Sequence, residues 1–238
     1  MVVAAIVAFA MPSVAMAARP TISALRTSTP PTIDGALLET EWSAAATTPL
    51  TFRLPNGTVT GTLRALWASN TVYIGVQLDG HGDEVDIALD RNANGRLDGS
   101  DYAYLAWIGG KRETFRYDPR ARAFARTLPH AAFTHASVAQ GSTRTFEFAI
   151  PHPRTARVGL AVKMERAGTN GQFDTWPVTG TRDPLTRQPN TWALLTFAAR
   201  SATVDRQPPT VSLVLSPDRP LSNQTVGWRA TASDASGL

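Results

Sequence analysis

The segment from Asp83 to Asp101 constrains the fold most, because it joins two alternating apolar stretches through one polar loop. Val85, Ile87 and Leu89 alternate with other residues before the loop, and YAYLAW at 102–107 alternates after it. Alternation with a period of two is typical of a β-strand with one buried face. The segment therefore predicts two strands connected by an ordered polar loop.

The loop has the ligand spacing of a calcium-binding loop. Gly95 falls at position 6, where the chain must turn sharply and a Cβ would obstruct it. A calcium ion takes about six to eight oxygen ligands at roughly 2.3–2.6 Å, and this spacing can wrap them around one point. The predicted ligands, in order, are Asp90, Asn92, Asn94, the backbone carbonyl of Arg96, Asp98 and Asp101.

We interpret this loop as a structural calcium site between two strands, since neither flank has a helical pattern. Its last ligand is Asp101 instead of the usual Glu, which resembles the calcium loops of dockerin modules. The alternative is an Asx-rich turn without metal, because Asn, Asp and Gly are ordinary turn residues.

The composition excludes several classes of protein. The chain has no cysteine, which excludes disulfides, thiolate metal sites and cysteine nucleophiles. The net charge is +4, but no recognisable nucleic-acid-binding module accompanies it. The one dense basic run alternates with aromatic residues, which predicts the outer face of a β-hairpin. Its members are Arg112, Arg116, Arg120, Arg122 and Arg126.

The first 17 residues are apolar and uncharged, and they end in Ala15-Met16-Ala17. Small residues at the two outer positions fit a signal peptide over residues 1–17, cleaved before Ala18. The alternative is a membrane anchor, although Pro12 interrupts a run that is short for a span. We expect a secreted or cell-surface protein with no membrane span in the mature chain, and calcium is abundant outside cells.

Short alternating segments separated by Gly, Pro and Asn continue to about residue 200, and no helix pattern of ten residues appears. They predict an all-β fold, an antiparallel β-sandwich of jelly-roll or immunoglobulin-like type over residues 18–200. A short amphipathic turn with Leu37, Leu38 and Trp42 is expected to close one end of the core. The predicted strands are Leu63–Trp67, Val72–Leu78, Val85–Leu89, Tyr102–Trp107, Glu113–Tyr117, Ala121–Leu128, Phe146–Ile150, Val158–Met164 and Trp192–Phe197.

The character of the sequence changes near Thr203. Residues 201–208 are expected to form a linker, and residues 209–238 resemble the opening of a bacterial immunoglobulin-like repeat. The resemblance rests on VDRQPPTV and on ASDASG near the end. Such a domain needs about seven strands and about 100 residues, so we expect a truncated second β domain.

We assign no catalytic residues from the sequence. Glu84 and Asp86 share a face of their predicted strand, and we considered them as a glycosidase pair. The spacing of the histidines matches no zinc pattern, and the sequence lacks a nucleophile elbow and a phosphate loop. We therefore predict a protein that is not an enzyme.

From about Pro31 to Ala198 the chain resembles a family 9 carbohydrate-binding module, or the wider DOMON-like group. Several motifs carry the resemblance in order along the chain. They are Ile33-Asp34-Gly35 with Leu38, Glu41 and Trp42; Arg64, Leu66 and Trp67 with Val72, Tyr73 and Ile74; Asp83, Val85, Asp86, Ile87, Leu89 and Asp90; Glu147, Ile150 and Pro151; and Trp192, Leu195 and Phe197.

The resemblance implies a β-sandwich with bound calcium and non-catalytic sugar binding. The family clamps a sugar between two tryptophans, one of which precedes the strand at 85–89. Here that place is Gly80-His81-Gly82, and Trp176 matches the second tryptophan. We therefore expect Trp176, His81 and Asp174 to bind the ligand. The alternative for Trp176 is a packed loop anchor, and the tryptophans at 42, 67, 107 and 192 are expected in the core.

The function expected from these features is a secreted, non-catalytic, calcium-stabilised module that binds an oligosaccharide or polysaccharide within a larger extracellular protein. The alternative is a structural or adhesive spacer domain without a sugar ligand. A third interpretation makes the module an accessory part of an enzyme encoded beyond Leu238.

Overall fold

The computed structural model describes residues 19–37, 40–80, 82–127, 133–166, 172–177, 189–201, 210–216 and 227–233. These residues form an almost entirely β structure, which confirms the predicted fold class. One short helix, α1 (Thr40–Ser43), and one 3₁₀ turn (Pro189–Thr191) are the helical elements of these ranges. The strands are β1 (Thr21–Arg26), β2 (Thr47–Leu54), β3 (Gly57–Ala68), β4 (Thr71–Asp79), β5 (Glu84–Asp90), β6 (Tyr102–Trp107), β7 (Arg112–Asp118), β8 (Ala123–Arg126), β9 (Thr134–Gln140), β10 (Thr143–Pro151), β11 (Arg157–Glu165), β12 (Phe173–Trp176), β13 (Ala193–Ser201), β14 (Thr210–Ser216) and β15 (Gly227–Ser233).

Thirteen strands form one continuous hydrogen-bonded sheet, in the order β8-β7-β6-β5-β11-β13-β1-β3-β4-β10-β9. Strand β12 pairs beside β11, and β2 pairs beside β3. Strand β1 joins the two halves, because it pairs with β13 from Thr21 to Arg26, with a register shift after Leu25, and with β3 at Leu25 and Arg26. We call β2, β3, β4, β9 and β10 the first sheet, and β5 to β8 with β11, β12 and β13 the second sheet. The pairings of β1 are parallel, unlike the antiparallel pairs that the sequence predicted.

The main core lies between the inner faces of the two sheets. Ile74 and Val76 of the first sheet belong to the same buried cluster as Ile87 and Val162 of the second. All four are fully buried, at the alternating positions that the sequence indicated. The core therefore forms from period-two patterns on strands of both sheets, as in other sandwiches.

The outer face of β4 is covered by the segment before β2. Leu37 and Trp42 of this segment pack with Tyr73 in a second buried cluster. Gly75 makes room for them, since a Cβ at this position would lie 2.4 Å from Leu37 Cδ2. The predicted amphipathic turn thus covers one sheet, and Leu38 lies outside the described residues.

The buried carboxylate of Glu147 holds this segment in place. Its Oε2 accepts hydrogen bonds from the backbone N–H groups of Asp34 (2.8 Å) and Gly35 (2.6 Å). Its Oε1 accepts one from Trp42 Nε1 at 2.8 Å. Two motifs far apart in the sequence, Ile33-Asp34-Gly35 and Glu147-x-x-Ile150, therefore meet at one contact.

Strands β14 and β15 form a separate antiparallel pair in the region predicted to begin a second domain. The predicted signal peptide and nearly all of the predicted linker lie outside the described residues. Within the described ranges, no helix has the length and apolar composition that a membrane crossing requires.

Candidate functional site

The predicted calcium loop connects β5 and β6, so strands flank it as expected. Gly95 has a φ of +75°, which agrees with the sharp turn predicted there. Asp90 Oδ2 accepts a hydrogen bond from Gly95 N at 2.8 Å, and Oδ1 accepts one from Asn94 N at 3.2 Å. Asp101 Oδ1 accepts one from Arg91 N at 3.0 Å, and Oδ2 accepts one from Asp98 N at 2.7 Å. The first and last carboxylates therefore organise the loop from its two ends.

The carboxylates of this loop influence one another electrostatically. Asp90 and Asp101 are fully buried, and burial raises the pKa of both, that of Asp101 to about 6. The neighbouring Asp90 and Asp98 raise the pKa of Asp101 further. Hydrogen bonds from the Ser100 hydroxyl, with others from the Asn92 and Asn94 amides, lower the pKa of Asp98 to about 2 against the effect of burial. Buried carboxylates that repel one another are stabilised by a cation placed among them.

The donor set of the loop fits calcium in chemical type. Among the described residues, no three His, Cys, Asp or Glu side chains converge as a metal-binding group. A calcium loop draws in addition on amide and backbone oxygens, which Asn92, Asn94 and Arg96 supply here. Arg96 N donates to Asn94 Oδ1 at 2.7 Å, and both Asn Nδ2 atoms donate to Asp98 Oδ2 at 2.8 Å. Calcium binding thus stays a prediction, although the oxygen donors of this loop are of the type that calcium binds.

The three residues expected to bind sugar do not form one site in the described structure. Trp176 of β12 pairs with Val162 of β11, and its half-buried ring packs against the main core. Asp174 is buried and accepts a hydrogen bond from Arg53 N at 2.5 Å, which ties β12 to β2. His81 lies outside the described residues. The binding role of all three stays a prediction.

A charged cluster lies on the outer face of the second sheet, where β5 pairs with β11. Lys163 is directly opposite Asp86, and Glu165 is directly opposite Glu84. Lys163 Nζ lies 2.9 Å from Glu165 Oε2, 3.2 Å from Asp86 Oδ2 and 3.8 Å from Glu84 Oε1. We call Glu84, Asp86, Lys163 and Glu165 the Lys163 cluster.

The Lys163 cluster is largely shielded from solvent. The side chains of Asp86, Glu84, Lys163 and Glu165 are 1%, 12%, 13% and 28% exposed. Asp86 is the most buried member of the cluster, and its side-chain partners are Lys163, at 3.2 Å, and the neighbouring Glu84. Buried carboxylates grouped around one cation are costly, and such groups concentrate at functional sites.

The charges in this cluster are not balanced. Burial raises the pKa of Asp86 well above its usual range; Lys163 opposes this effect and Glu84 adds to it. Burial lowers the pKa of Lys163, but Asp86, Glu165 and Glu84 together raise it above the ordinary lysine value. Lys163 therefore stays charged, whereas Asp86 favours its neutral form, so the excess of negative charge in the cluster comes from Glu84 and Glu165.

Two aromatic rings adjoin the Lys163 cluster. Phe173 of β12 pairs with Glu165, and Lys163 Nζ lies 5.0 Å from the centre of its ring. Trp107 of β6 pairs with Glu84, and Lys111 Nζ lies 4.2 Å from the centre of its ring. Paired residues of antiparallel strands share a face, so both rings lie on the outer face with the charges. The described residues thus place hydrogen-bonding groups and aromatic rings together.

The sequence alone did not predict this cluster. Glu84 and Asp86 were considered only as a catalytic pair, and Trp107 was expected in the core. That expectation was wrong, since Trp107 is half-buried on the outer face, whereas Trp42 and Trp192 are fully buried. Trp67 is half-buried against the main core. The sequence did contain a signal for this cluster, because charged residues occupy alternate positions of two strands. They are Glu84 with Asp86 and Lys163 with Glu165.

Comparisons with known proteins agree with the fold described above. No family model matches the sequence, and no curated protein matches it either. Among solved structures, a family 9 carbohydrate-binding module from Caldicellulosiruptor kristjanssonii in complex with cellotriose is similar, with a TM-score of 0.57 and 16% identity. The similarity covers 79% of this chain and 100% of that one. A structure of such a module from the same organism with glucose has a TM-score of 0.55 and 16% identity, over 77% and 99% of the two chains.

These similarities identify the class of fold. The chain has the β-sandwich of family 9 carbohydrate-binding modules, which confirms at the level of fold the resemblance indicated by the sequence motifs.

Proposed function

We propose that this chain is a non-catalytic carbohydrate-binding module whose sugar site is the Lys163 cluster. The observation that carries the proposal is the set of shielded charges beside Phe173 and Trp107 on one sheet face. The two similar solved structures support a sugar ligand, since they are complexes with cellotriose and with glucose.

The chemistry of the Lys163 cluster suits a pyranose. Sugar hydroxyls both donate and accept, so they match carboxylate oxygens and an ammonium group fixed in position. Charge-assisted hydrogen bonds of this kind are the stronger ones. An aromatic ring packs against the apolar C–H face of a pyranose, and Trp107 and Phe173 supply such rings. A few placed polar groups beside aromatic surface are typical of small-ligand sites.

The proposal is tested by calorimetric titration of the protein with cellotriose and with glucose. We expect saturable binding, which Trp107→Ala weakens about tenfold because it removes a contact ring. Trp176→Ala is the matched control, since Trp176 packs toward the main core on the other side of the sheet. A loss of binding in Trp176→Ala with none in Trp107→Ala would move the site to the residues that the sequence indicated.

A spacer domain without a sugar ligand is the second candidate. The observation that favours it is Trp176, whose half-buried ring contacts the main core. Folded protein that binds neither sugar would establish this alternative and reject the sugar site.

We also propose that the loop from Asp90 to Asp101 holds one calcium ion and that the protein acts outside the cell. The support for calcium is the spacing of oxygen donors and the two buried, mutually repelling carboxylates Asp90 and Asp101. The ion would neutralise these carboxylates and fix the turn between β5 and β6. Export rests on the apolar first 17 residues and on the calcium available outside cells.

A further inference from the structure

The Lys163 cluster holds more negative charge than a neutral sugar needs. Asp86 favours its neutral form, and the two other carboxylates, Glu84 and Glu165, lie directly opposite each other in the pairing of β5 with β11 beside the one ammonium group. Like charges directly opposite each other destabilise a sheet. The sequence therefore keeps an arrangement that costs stability and that a cationic ligand would relieve.

The cluster also has more hydrogen-bond acceptors than donors. An ammonium group has three donors, and the three carboxylates lie 2.9, 3.2 and 3.8 Å from Lys163 Nζ. The donors of Lys163 are thus directed at the protein, and the carboxylates of the cluster that stay partly exposed to a ligand are Glu84 and Glu165. A ligand that brings a charged donor group would complement this set better than one that brings another acceptor.

The neighbouring cations do not balance the cluster. Lys111 Nζ lies 3.5 Å from Glu113 Oε1, and Arg126 Nη2 lies 3.3 Å from the same oxygen. Both cations thus interact with a different carboxylate of the same face, and their side chains are well exposed. The excess of negative charge is therefore local to the Lys163 cluster.

We propose that the Lys163 cluster selects sugars with a free, protonated amino group, the class of β-linked glucosamine oligomers, over neutral and acidic sugars. This inference rests on the proposed sugar site and adds its specificity. The ammonium group of the ligand contacts Glu84 and Glu165 and supplies donors to the excess acceptors. A uronic acid is excluded, because its carboxylate would face those of Glu84 and Glu165.

Non-specific adsorption of a cationic oligomer is disfavoured by the rest of the protein. The chain has a net charge of +4, so its overall field repels a polycation. Tight binding of such an oligomer would therefore report a local acidic site.

The test compares three β-1,4-linked trisaccharides that differ at carbon 2: hydroxyl in cellotriose, acetamide in the chitin trimer and free amine in the chitosan trimer. Calorimetry at about pH 6 keeps ordinary carboxylates ionised. We expect the chitosan trimer to bind at least tenfold more tightly than cellotriose, and the chitin trimer to show no such gain. Tighter binding of cellotriose would overturn the inference and leave the proposed function in place, while no binding of any trimer would overturn both.

Two variants test whether the preference for the chitosan trimer arises at the Lys163 cluster. Glu165→Gln removes one carboxylate of the cluster, and we expect the ratio of chitosan to cellotriose affinity to fall several-fold. Glu113→Gln is the matched control, since it removes a carboxylate of the same face outside the cluster and should leave the ratio unchanged. Equal effects of the two variants would overturn the inference, because the preference would then reflect only the general charge of the face.

Discussion

Glu147 of the first sheet and Asp86 of the second are both fully buried acidic residues, but their surroundings differ. Glu147 accepts three hydrogen bonds at 2.6–2.8 Å from Asp34, Gly35 and Trp42. Asp86 contacts Lys163 at 3.2 Å and the neighbouring Glu84, and burial raises its pKa well above the usual range. A buried carboxylate held by N–H donors stabilises a fold, whereas one placed beside other carboxylates belongs to a charged group that a ligand of suitable charge can complement.

The difference between Glu147 and Asp86 explains why the sequence motifs indicate the fold but not the ligand. Ile33-Asp34-Gly35, Trp42 and Glu147 are among the motifs that indicated the family, and they meet at the Glu147 contact. These residues hold the segment before β2 against the first sheet, so they identify a fold. In the proposed function, the choice of ligand depends on residues such as Lys163 and Glu165, which those motifs do not include.

The largest effect is expected for Glu147→Ala. It removes the acceptor of three N–H donors, of which those of Gly35 and Trp42 are buried, and we expect the free energy of unfolding to fall by about 4 kcal/mol. Urea denaturation followed by tryptophan fluorescence measures this loss. Glu113→Ala, which breaks ion pairs with two exposed cations, should cost less than about 1 kcal/mol. Equal losses in the two variants would contradict the structural role of Glu147.

A smaller effect is expected when calcium is removed. Addition of EGTA should lower the melting temperature, and calcium at about one hundred times its dissociation constant should restore about 2.7 kcal/mol. Asp101→Asn removes one predicted ligand, so its melting temperature should respond much less to EGTA. An unchanged melt of the unmodified protein in EGTA would reject the calcium site.

The smallest effect is expected for Glu84→Gln, and its sign is opposite to that of Glu147→Ala. The substitution removes one of two like charges that face each other across β5 and β11, while Lys163 keeps Asp86 and Glu165. We expect a gain in unfolding free energy of about 0.5 kcal/mol at neutral pH. Differential scanning calorimetry gives the sign, and a loss above 1 kcal/mol would place Glu84 with Glu147 among the structural carboxylates.

Local patterns explain why part of the fold could be predicted. Strands β5 and β6 and the loop between them follow from alternation and spacing within about twenty residues. Strands β2 and β9 were missed, because Thr47–Leu54 contains Pro49 and Thr134–Gln140 is short of large apolar residues, as is common at sheet edges. Strand β1 was missed because its partners, β13 and β3, are distant in sequence.

The candidate site could not be predicted for a related reason. Lys163 and Asp86 are adjacent only through the register of β11 on β5, which a sequence does not specify over that distance. The calcium loop needs no such register, since its donors lie within one loop. Trp107 was expected in the core because an aromatic residue on a strand usually is, and only the pairing with Glu84 places it on the outer face.

The central claim is that the sugar binds at the Lys163 cluster, and a backbone NMR map of the protein titrated with cellotriose tests it most directly. We expect the largest shift changes at the amides of Glu84, Asp86, Lys163 and Glu165, with little change at Glu147. Changes centred on the Glu147 contact, or none at saturating sugar, would contradict the account.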